Sequence, residues 1–258
     1  KNKKDKSNIW FSKVKRIFEQ LLTENSQQIY ILLGYRFQIF YYLDEEWILK
    51  INSELDKNSE FWKFYFQSYV LSNSISNESY RYMMDNYIFV LEKNTIQKEI
   101  FIDGISKSIA NFFLYGVENL SSDASLIKKI FIFDRKDVVQ NIVNFLGWKS
   151  KYRINNKDRN QYDKEKYDEN KINEQNDKIL LFWEYVYSNY RSNDSYNTIM
   201  ASTVKLLPSV RRVSIAIKNQ IEFALNCGNN TDFDFISDLL NIITLPNMDN
   251  SHVKNCND

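Results

Sequence analysis

The amino-acid sequence predicts an all-α protein, an irregular HEAT/armadillo-like stack of antiparallel helix pairs. Three observations favour this class. Apolar residues recur every three or four positions through most of the chain. No segment alternates convincingly between apolar and polar residues, and 5 Gly and 2 Pro in 258 residues are too few for a strand-rich fold with tight turns. A compact irregular helical bundle is the alternative, because no repeated sequence signature accompanies the spacing of the helix pairs.

Seven helices are expected in the first half of the chain. The stripe Trp10, Val14, Ile17 and Leu21 defines the first of them. The expected helices cover 8–24, 27–43, 45–55, 59–72, 80–92, 97–119 and 124–133. The windows 29–33 and 127–133 are rich in β-branched and aromatic residues. We interpret both as helix because each continues into a longer helical pattern.

A polar segment, 149–178, interrupts this pattern. Its Tyr and Ile residues are isolated and its charges nearly cancel, so it has too little apolar area to offset its conformational entropy. We therefore expect a disordered insert that divides a helical array, 8–148, from its continuation, 179–245. A basic tail, 1–7, and a polar tail, 246–258, complete the chain.

The continuation begins with two helical stripes, one with Ile179, Phe182, Val186 and Tyr190 and one with Tyr196, Ile199, Met200 and Thr203. Two further amphipathic stretches follow. Val210, Ile217 and Ile221 lie on one helical stripe, for which Pro208 fits a start and Gly228 a stop. Thr231 and Asp234 then form a capping-box pattern before a second stripe. Its apolar positions are Ile236, Leu239, Leu240 and Ile243.

The composition argues against most enzyme chemistry. One His excludes a catalytic triad of the usual kind and His-rich metal sites, and two Cys exclude zinc fingers and disulfide frameworks. His252 and Cys256 have ligand spacing but no third ligand nearby. We therefore predict a non-enzymatic protein with no catalytic residue, no cofactor and no metal, and no small-molecule substrate is evident.

Two charged segments could form a catalytic, metal or partner-binding site, but both are more typical of a structural role. Asp44, Glu45 and Glu46 precede Trp47, where carboxylates complement a helix N-terminus. The run 134–137, Asp-Arg-Lys-Asp, lies between two apolar stripes and is typical of a helix–helix turn with a capping aspartate.

A basic patch is the basis of the alternative function. Lys205, Arg211, Arg212 and Lys218 are close in sequence, and the N-terminal tail adds further Lys residues. Together they could bind RNA or an anionic membrane surface. A formal net charge of +1 gives no general electrostatic reason to expect such a partner.

The aromatic content favours a protein partner. The chain has 18 Phe, 17 Tyr and 5 Trp, an excess that AT-rich codons explain in part. A domain of this size cannot bury them all, and tyrosines dominate interface hot spots. The tyrosines expected to be partly exposed are Tyr30, Tyr35, Tyr41, Tyr42, Tyr80, Tyr82, Tyr87, Tyr185 and Tyr187. The candidate partner-binding aromatics among them are Tyr35, Tyr42, Tyr82 and Tyr187.

We therefore predict a scaffold or adaptor domain of a larger assembly, since stacked helices present long binding surfaces. No signal peptide or transmembrane stretch is recognisable, and two Cys are compatible with a reducing compartment. The expected location is the cytoplasm or the nucleus.

Overall fold

The protein is helical throughout the part of the chain that the computed structural model describes. The described residues are 12–24, 26–72, 75–94, 98–157, 169–210 and 214–228. They form thirteen α-helices and two short 3₁₀ helices, with no strand among them. The all-α prediction is confirmed, and both windows of doubtful character are helical. The HEAT/armadillo-like arrangement stays a prediction.

The helices are short in the first part of the chain and longer in the second. They are α1 (Ser12–Thr23), α2 (Gln27–Tyr35), α3 (Phe37–Leu43), α4 (Glu45–Glu54), α5 (Glu60–Val70), α6 (Asn77–Tyr82), α7 (Met84–Lys93), α8 (Glu99–Leu114), α9 (Leu126–Ile132), α10 (Lys136–Lys157), α11 (Glu169–Tyr190), α12 (Asn197–Ser202) and α13 (Ile215–Cys227). The 3₁₀ helices are Asp194–Tyr196 and Thr203–Ser209. No helix in these ranges combines the length and the apolar character needed to cross a bilayer.

The chain divides into two compact units, 1–108 and 109–258, at a boundary within α8. The sequence instead predicts a division at the polar insert. That prediction rests on composition, whereas the boundary at Ser108 reflects which helices pack together.

Unit 1 is built around a close contact between α2 and α5. Gly34 permits it, because a Cβ atom at this position would lie 1.9 Å from the Tyr65 carbonyl oxygen. The core beside this contact is mostly aromatic, and Trp62 stacks on Phe66 with ring centroids 5.4 Å apart. Its largest fully buried side chains are Phe37, Trp62, Tyr65, Phe66, Tyr69, Tyr80 and Tyr87.

Unit 2 packs α10 against the 3₁₀ helix Thr203–Ser209. Gly147 makes the approach possible, since an added Cβ would lie 2.8 Å from the Lys205 carbonyl oxygen. Ser150 and Ser209 are joined by a buried hydrogen bond of 2.6 Å between their hydroxyls. Packing on small side chains therefore positions the second half of α10.

Helices reach into both ends of the segment for which the sequence predicts a disordered insert, 149–178. Helix α10 continues to Lys157, and α11 begins at Glu169. Extending an existing helix adds one hydrogen bond per residue, and Lys, Gln and Glu are good helix formers. Gln175, within this segment, is buried although it is polar. The middle of the predicted insert, 158–168, lies outside the described residues.

Three further helix boundaries differ from expectation. Arg36 separates α2 from α3, and Met83 separates α6 from α7, where single helices are predicted. Pro208 lies inside a 3₁₀ helix and does not start α13. That helix begins after Ser214, whose hydroxyl accepts a hydrogen bond from the Ile217 backbone N–H.

The chain termini lie outside the described residues. This applies to the basic tail, 1–7, the stripe predicted at 236–243 and the polar tail, 246–258. His252 and Cys256 are among these residues.

Candidate functional site

The largest helical stripe of exposed apolar side chains in unit 1 lies on α2 and α3. Its members are between 41% and 57% exposed, although they are large and apolar. They are Ile31, Leu32, Tyr35, Ile39 and Tyr42. Their spacing of three or four residues places them on one side of the helix pair. We call this surface the α2–α3 face.

The stripe runs over both helices, which meet at Arg36. The Arg36 backbone N–H donates to the Leu32 carbonyl oxygen at 2.9 Å, and the Phe40 N–H donates to the Arg36 carbonyl oxygen at 3.2 Å. A backbone hydrogen bond from each helix therefore ends on Arg36. Leu33 and Phe37 lie on the opposite side and are buried in unit 1. The pair is thus apolar on two sides, of which one is buried in unit 1.

Arg36 places a positive charge beside Tyr35, halfway along the α2–α3 face. It is the only charged residue in the sequence between Gln27 and Leu43. Its guanidinium carbon lies 5.1 Å from the centroid of the Tyr35 ring. Within the described ranges, no carboxylate forms an ion pair with it. The guanidinium is therefore exposed, held by an aromatic ring, and free to bind an anionic group.

Tyr82 adds an exposed aromatic ring beside the end of α3. The hydroxyls of Tyr41 and Tyr82 both donate to Glu45 Oε1, at 3.0 and 3.1 Å. Their ring centroids lie 5.4 Å apart. Burial, followed by the hydrogen bonds with Tyr82 and Glu45 and the Glu45 charge, raises the pKa of Tyr41 well above its ordinary value. Tyr41 therefore remains a neutral donor, and the hydrogen bond to Glu45 restrains the orientation of Tyr82.

The acidic run before Trp47 is a helix N-terminus, as predicted. The Asp44 carboxylate accepts a hydrogen bond from the Trp47 backbone N–H at 3.1 Å. It also forms an ion pair of 2.7 Å with Lys15 of α1. Glu45 and Glu46 lie in the first turn of α4, where they complement the helix dipole. This cap sets the start of α4 and thereby the position of Glu45.

The predicted aromatic residues fall into two groups. Tyr35, Tyr42 and Tyr82 are exposed and belong to unit 1. Tyr187 belongs to unit 2 and is half-buried, with its ring edge-on to Phe223 at a centroid distance of 5.5 Å. The Arg191 guanidinium lies 5.3 Å from the same ring. Tyr187 therefore packs within its own unit and is not part of the α2–α3 face.

The candidate partner-binding residues chosen from the sequence are all tyrosines and omit the aliphatic residues of the α2–α3 face. Ile31, Leu32 and Ile39 are exposed beside the tyrosines. A signal for them is present in the sequence, because 27–43 is apolar on every side with a single charge. Such a segment is expected to pack on two sides. Aromatic content alone therefore does not predict the exposed aliphatic residues of the α2–α3 face.

The described part of the basic patch consists of two lysines, Lys205 and Lys218, and each contacts a polar side chain of unit 2. Lys205 Nζ donates to Asn144 Oδ1 at 2.9 Å. Lys218 lies 3.7 Å from the Glu222 carboxylate, one turn along α13. Arg211 and Arg212 lie outside the described residues. The lysines therefore have local partners in unit 2.

The charged run 134–137, Asp-Arg-Lys-Asp, forms a turn between two helices. Asp134 has a left-handed backbone with φ of 51° and accepts a hydrogen bond of 3.0 Å from the Tyr196 hydroxyl. The buried Arg135 donates from Nε and Nη2 to the two carboxylate oxygens of Asp137, at 2.9 and 2.7 Å. These contacts explain the segment as a packed turn, in agreement with the structural interpretation.

Groups suited to metal binding or nucleophilic catalysis are scarce in the described ranges. No cluster of three or more His, Cys, Asp or Glu residues there could hold a metal ion. Burial, and then the charge of Asp194, raises the pKa of the Cys227 thiol. A protonated thiol is a poor nucleophile.

Comparison with known proteins gives no relative. No protein-family model matches the chain, and neither a curated protein nor a solved structure matches it.

Proposed function

We propose that the chain is a non-enzymatic scaffold or adaptor domain that binds a protein partner through the α2–α3 face. One observation carries this proposal. Five large apolar side chains at helical spacing are 41–57% exposed on a helix pair whose other side is buried in a folded unit. Folded monomers rarely expose contiguous apolar surface of this kind unless it is used for binding.

The residue types of the face suit a protein interface. Tyr35, Tyr42 and Tyr82 combine a large apolar ring with a hydroxyl, and rigid aromatic anchors supply much of the energy at interfaces. Glu45 already restrains Tyr82 through the hydroxyl hydrogen bond. Restraining an anchor before binding reduces the entropy lost on association.

The alternative of an RNA or anionic-membrane partner has weaker support. It depends on Lys205, Arg211, Arg212 and Lys218, two of which have local polar partners. Phosphate binding through such a patch would depend steeply on salt. Apolar docking on the α2–α3 face would depend on it weakly.

We further propose a cytoplasmic or nuclear location. Cys227 is a free thiol on α13, which suits a reducing compartment.

Quantitative capture from the native cell tests the proposed function. The bait is the full chain, compared with Tyr35→Ala/Tyr42→Ala and with the control Lys205→Ala/Lys218→Ala. Losing two tyrosine anchors costs about 2 kcal/mol or more each at an interface, so the first variant should lose its specific partners. The lysine variant should keep them at low and moderate salt. Loss of partners with the lysine variant alone would overturn the proposal.

Thermal unfolding of both variants controls for folding. Because the replaced side chains are exposed, each variant should unfold close to the wild-type temperature. Capture that depends equally on both sites would contradict a role specific to the α2–α3 face.

A further inference from the structure

We infer that the partner segment bound by the α2–α3 face is an amphipathic helix with a carboxylate among its apolar residues, and that Arg36 binds this carboxylate. The inference rests on the proposed function and adds the chemistry of the partner. It depends on the shape of the stripe, on the charge at its centre and on the charges at its end.

The shape of the stripe suits one helix. From Ile31 to Tyr42 the exposed residues span the end of α2 and most of α3, about three turns of helix in all. Their spacing follows one helical stripe. An amphipathic helix contacts such a stripe through its own residues at positions i, i+3, i+4 and i+7.

The charge at the centre selects an acidic residue. Arg36 lies between Leu32 and Ile39 along the stripe, and its guanidinium is stacked on the Tyr35 ring without a carboxylate partner in the described ranges. A guanidinium presents parallel N–H donors that match the two oxygens of a carboxylate. Apolar side chains of a docked helix would exclude water around this pair, which strengthens the attraction.

The charges near Tyr42 define where the acidic residue belongs. Glu45 accepts the hydroxyls of Tyr41 and Tyr82, and Glu46 is exposed one residue later at the start of α4. A partner carboxylate near that end would meet like charges. The favourable position is therefore opposite Arg36, about one to two turns away from the Tyr42 end.

A second copy of the chain fits the face less well. In a symmetric dimer the same face packs on itself, and full overlap of the two faces places the middle of the face at the two-fold axis. Arg36 occupies that middle, so two unpaired guanidinium groups would be brought together. A lipid surface also fits poorly, because binding to anionic membranes uses clusters of Lys and Arg, and 27–43 contains one charge.

Selection from a displayed library of helical peptides tests the inference. The probe is a helix-forming host of about four turns with one randomised face. It is selected on the full chain and counter-selected on Tyr35→Ala/Tyr42→Ala. The enriched peptides should carry Asp or Glu at one central position, flanked by apolar residues at i−4, i−3, i+3 and i+4.

Charge exchange then assigns the carboxylate to Arg36. For an enriched peptide, changing its acidic residue to the neutral amide should weaken binding to the wild type about tenfold. Arg36→Gln should weaken the acidic peptide similarly and make the two peptides equal. Arg36→Glu should reverse the preference, so that a peptide with Lys at this position binds better than the acidic one.

Each other outcome has a defined meaning. Peptides that need the two tyrosines but show no acidic preference, or ignore Arg36→Gln, overturn the inference while the proposed function stands. Failure to enrich any peptide that needs the tyrosines contradicts both. Tyrosine-dependent binding to phosphatidylserine vesicles, or a tyrosine-dependent dimer in sedimentation, would also overturn the inference and replace the partner helix with that occupant.

Discussion

The Tyr82 hydroxyl donates a hydrogen bond of 3.1 Å to the Glu45 carboxylate across 37 residues of sequence. Tyr41 donates to the same oxygen, so one carboxylate links α3, α4 and α6. The link holds an exposed aromatic ring next to the end of the α2–α3 face. Glu45, which the sequence places at a helix N-terminus, therefore also restrains Tyr82 beside the candidate binding surface.

Glu45→Gln tests this link. The amide accepts hydrogen bonds less strongly than a carboxylate, so we expect the free energy of unfolding in urea to fall by about 1 kcal/mol. The matched control is Glu46→Gln, which removes the same charge from the same first turn of α4. The control should change stability by less than about 0.5 kcal/mol. Equal losses in the two variants would show that only the helix dipole is involved.

Gly34→Ala tests the contact between α2 and α5. The new Cβ would lie 1.9 Å from the Tyr65 carbonyl oxygen, which belongs to backbone and cannot rotate away. We expect a loss of about 3 kcal/mol or more in the free energy of unfolding. Gly104→Ala is the control, since its Cβ would lie 3.1 Å from the Val70 carbonyl oxygen. The gain in helix propensity of about 1 kcal/mol should offset that crowding. Similar losses would contradict the packing described for unit 1.

Tyr65→Phe tests a buried hydroxyl of the aromatic core. No group in the described ranges hydrogen-bonds to the Tyr65 hydroxyl, and the side chain is fully buried. Removing it should leave stability unchanged or raise it by about 1 kcal/mol, because no partner is left unsatisfied. The control Tyr87→Phe breaks a buried hydrogen bond of 2.8 Å to Ser108 and should lower thermal stability. A marked loss with Tyr65→Phe would contradict this assignment.

Asp137→Asn tests the corner at 134–137 through its pH dependence. Burial alone would raise the pKa of Asp137, but the hydrogen bonds and charge of Arg135 outweigh burial and lower it. A lowered pKa contributes stability above the ordinary value and loses it as the pH falls through the folded value. Because Asp137 is 41% exposed, screening reduces the expected loss at neutral pH to about 1 kcal/mol.

The difference in the free energy of unfolding in urea between wild type and Asp137→Asn should therefore shrink as the pH falls through the lowered pKa of Asp137. Asp123→Asn is the control, since Asp123 pairs with Lys128 at 2.6 Å while 81% exposed. Its effect at neutral pH should be the smaller of the two. A difference between wild type and Asp137→Asn that persists unchanged in acid would contradict the ion pair as its cause.

Much of the helical architecture follows from local pattern. Stripes such as Val14, Ile17 and Leu21 and the acidic cap at Asp44 predict helices that the structure contains. Two features differ from what the local sequence pattern predicts, namely the helix break at Arg36 and the burial of Gln175. The break at Arg36 and the burial of Gln175 depend on tertiary packing, which a stripe search does not describe.

In the candidate site, too, some features follow from the local sequence and others depend on tertiary packing. Tyr35, Tyr42 and Tyr82 are exposed as expected, whereas Tyr30, Tyr80 and Tyr87, for which exposure is also expected, are buried. Amphipathic spacing alone therefore does not separate core tyrosines from surface tyrosines. Tyr187 is half-buried because Phe223 packs on it from α13. Its partner lies 36 residues away in sequence, so no local pattern could reveal the contact.

Hydrogen–deuterium exchange of the full chain, alone and with a partner captured by it, tests the central claim most directly. Binding on the α2–α3 face predicts slowed amide exchange in 27–43, and no slowing around Lys205 and Lys218. The protection should be lost with Tyr35→Ala/Tyr42→Ala. Protection confined to the region of Lys205 and Lys218, with 27–43 unchanged, would contradict the account.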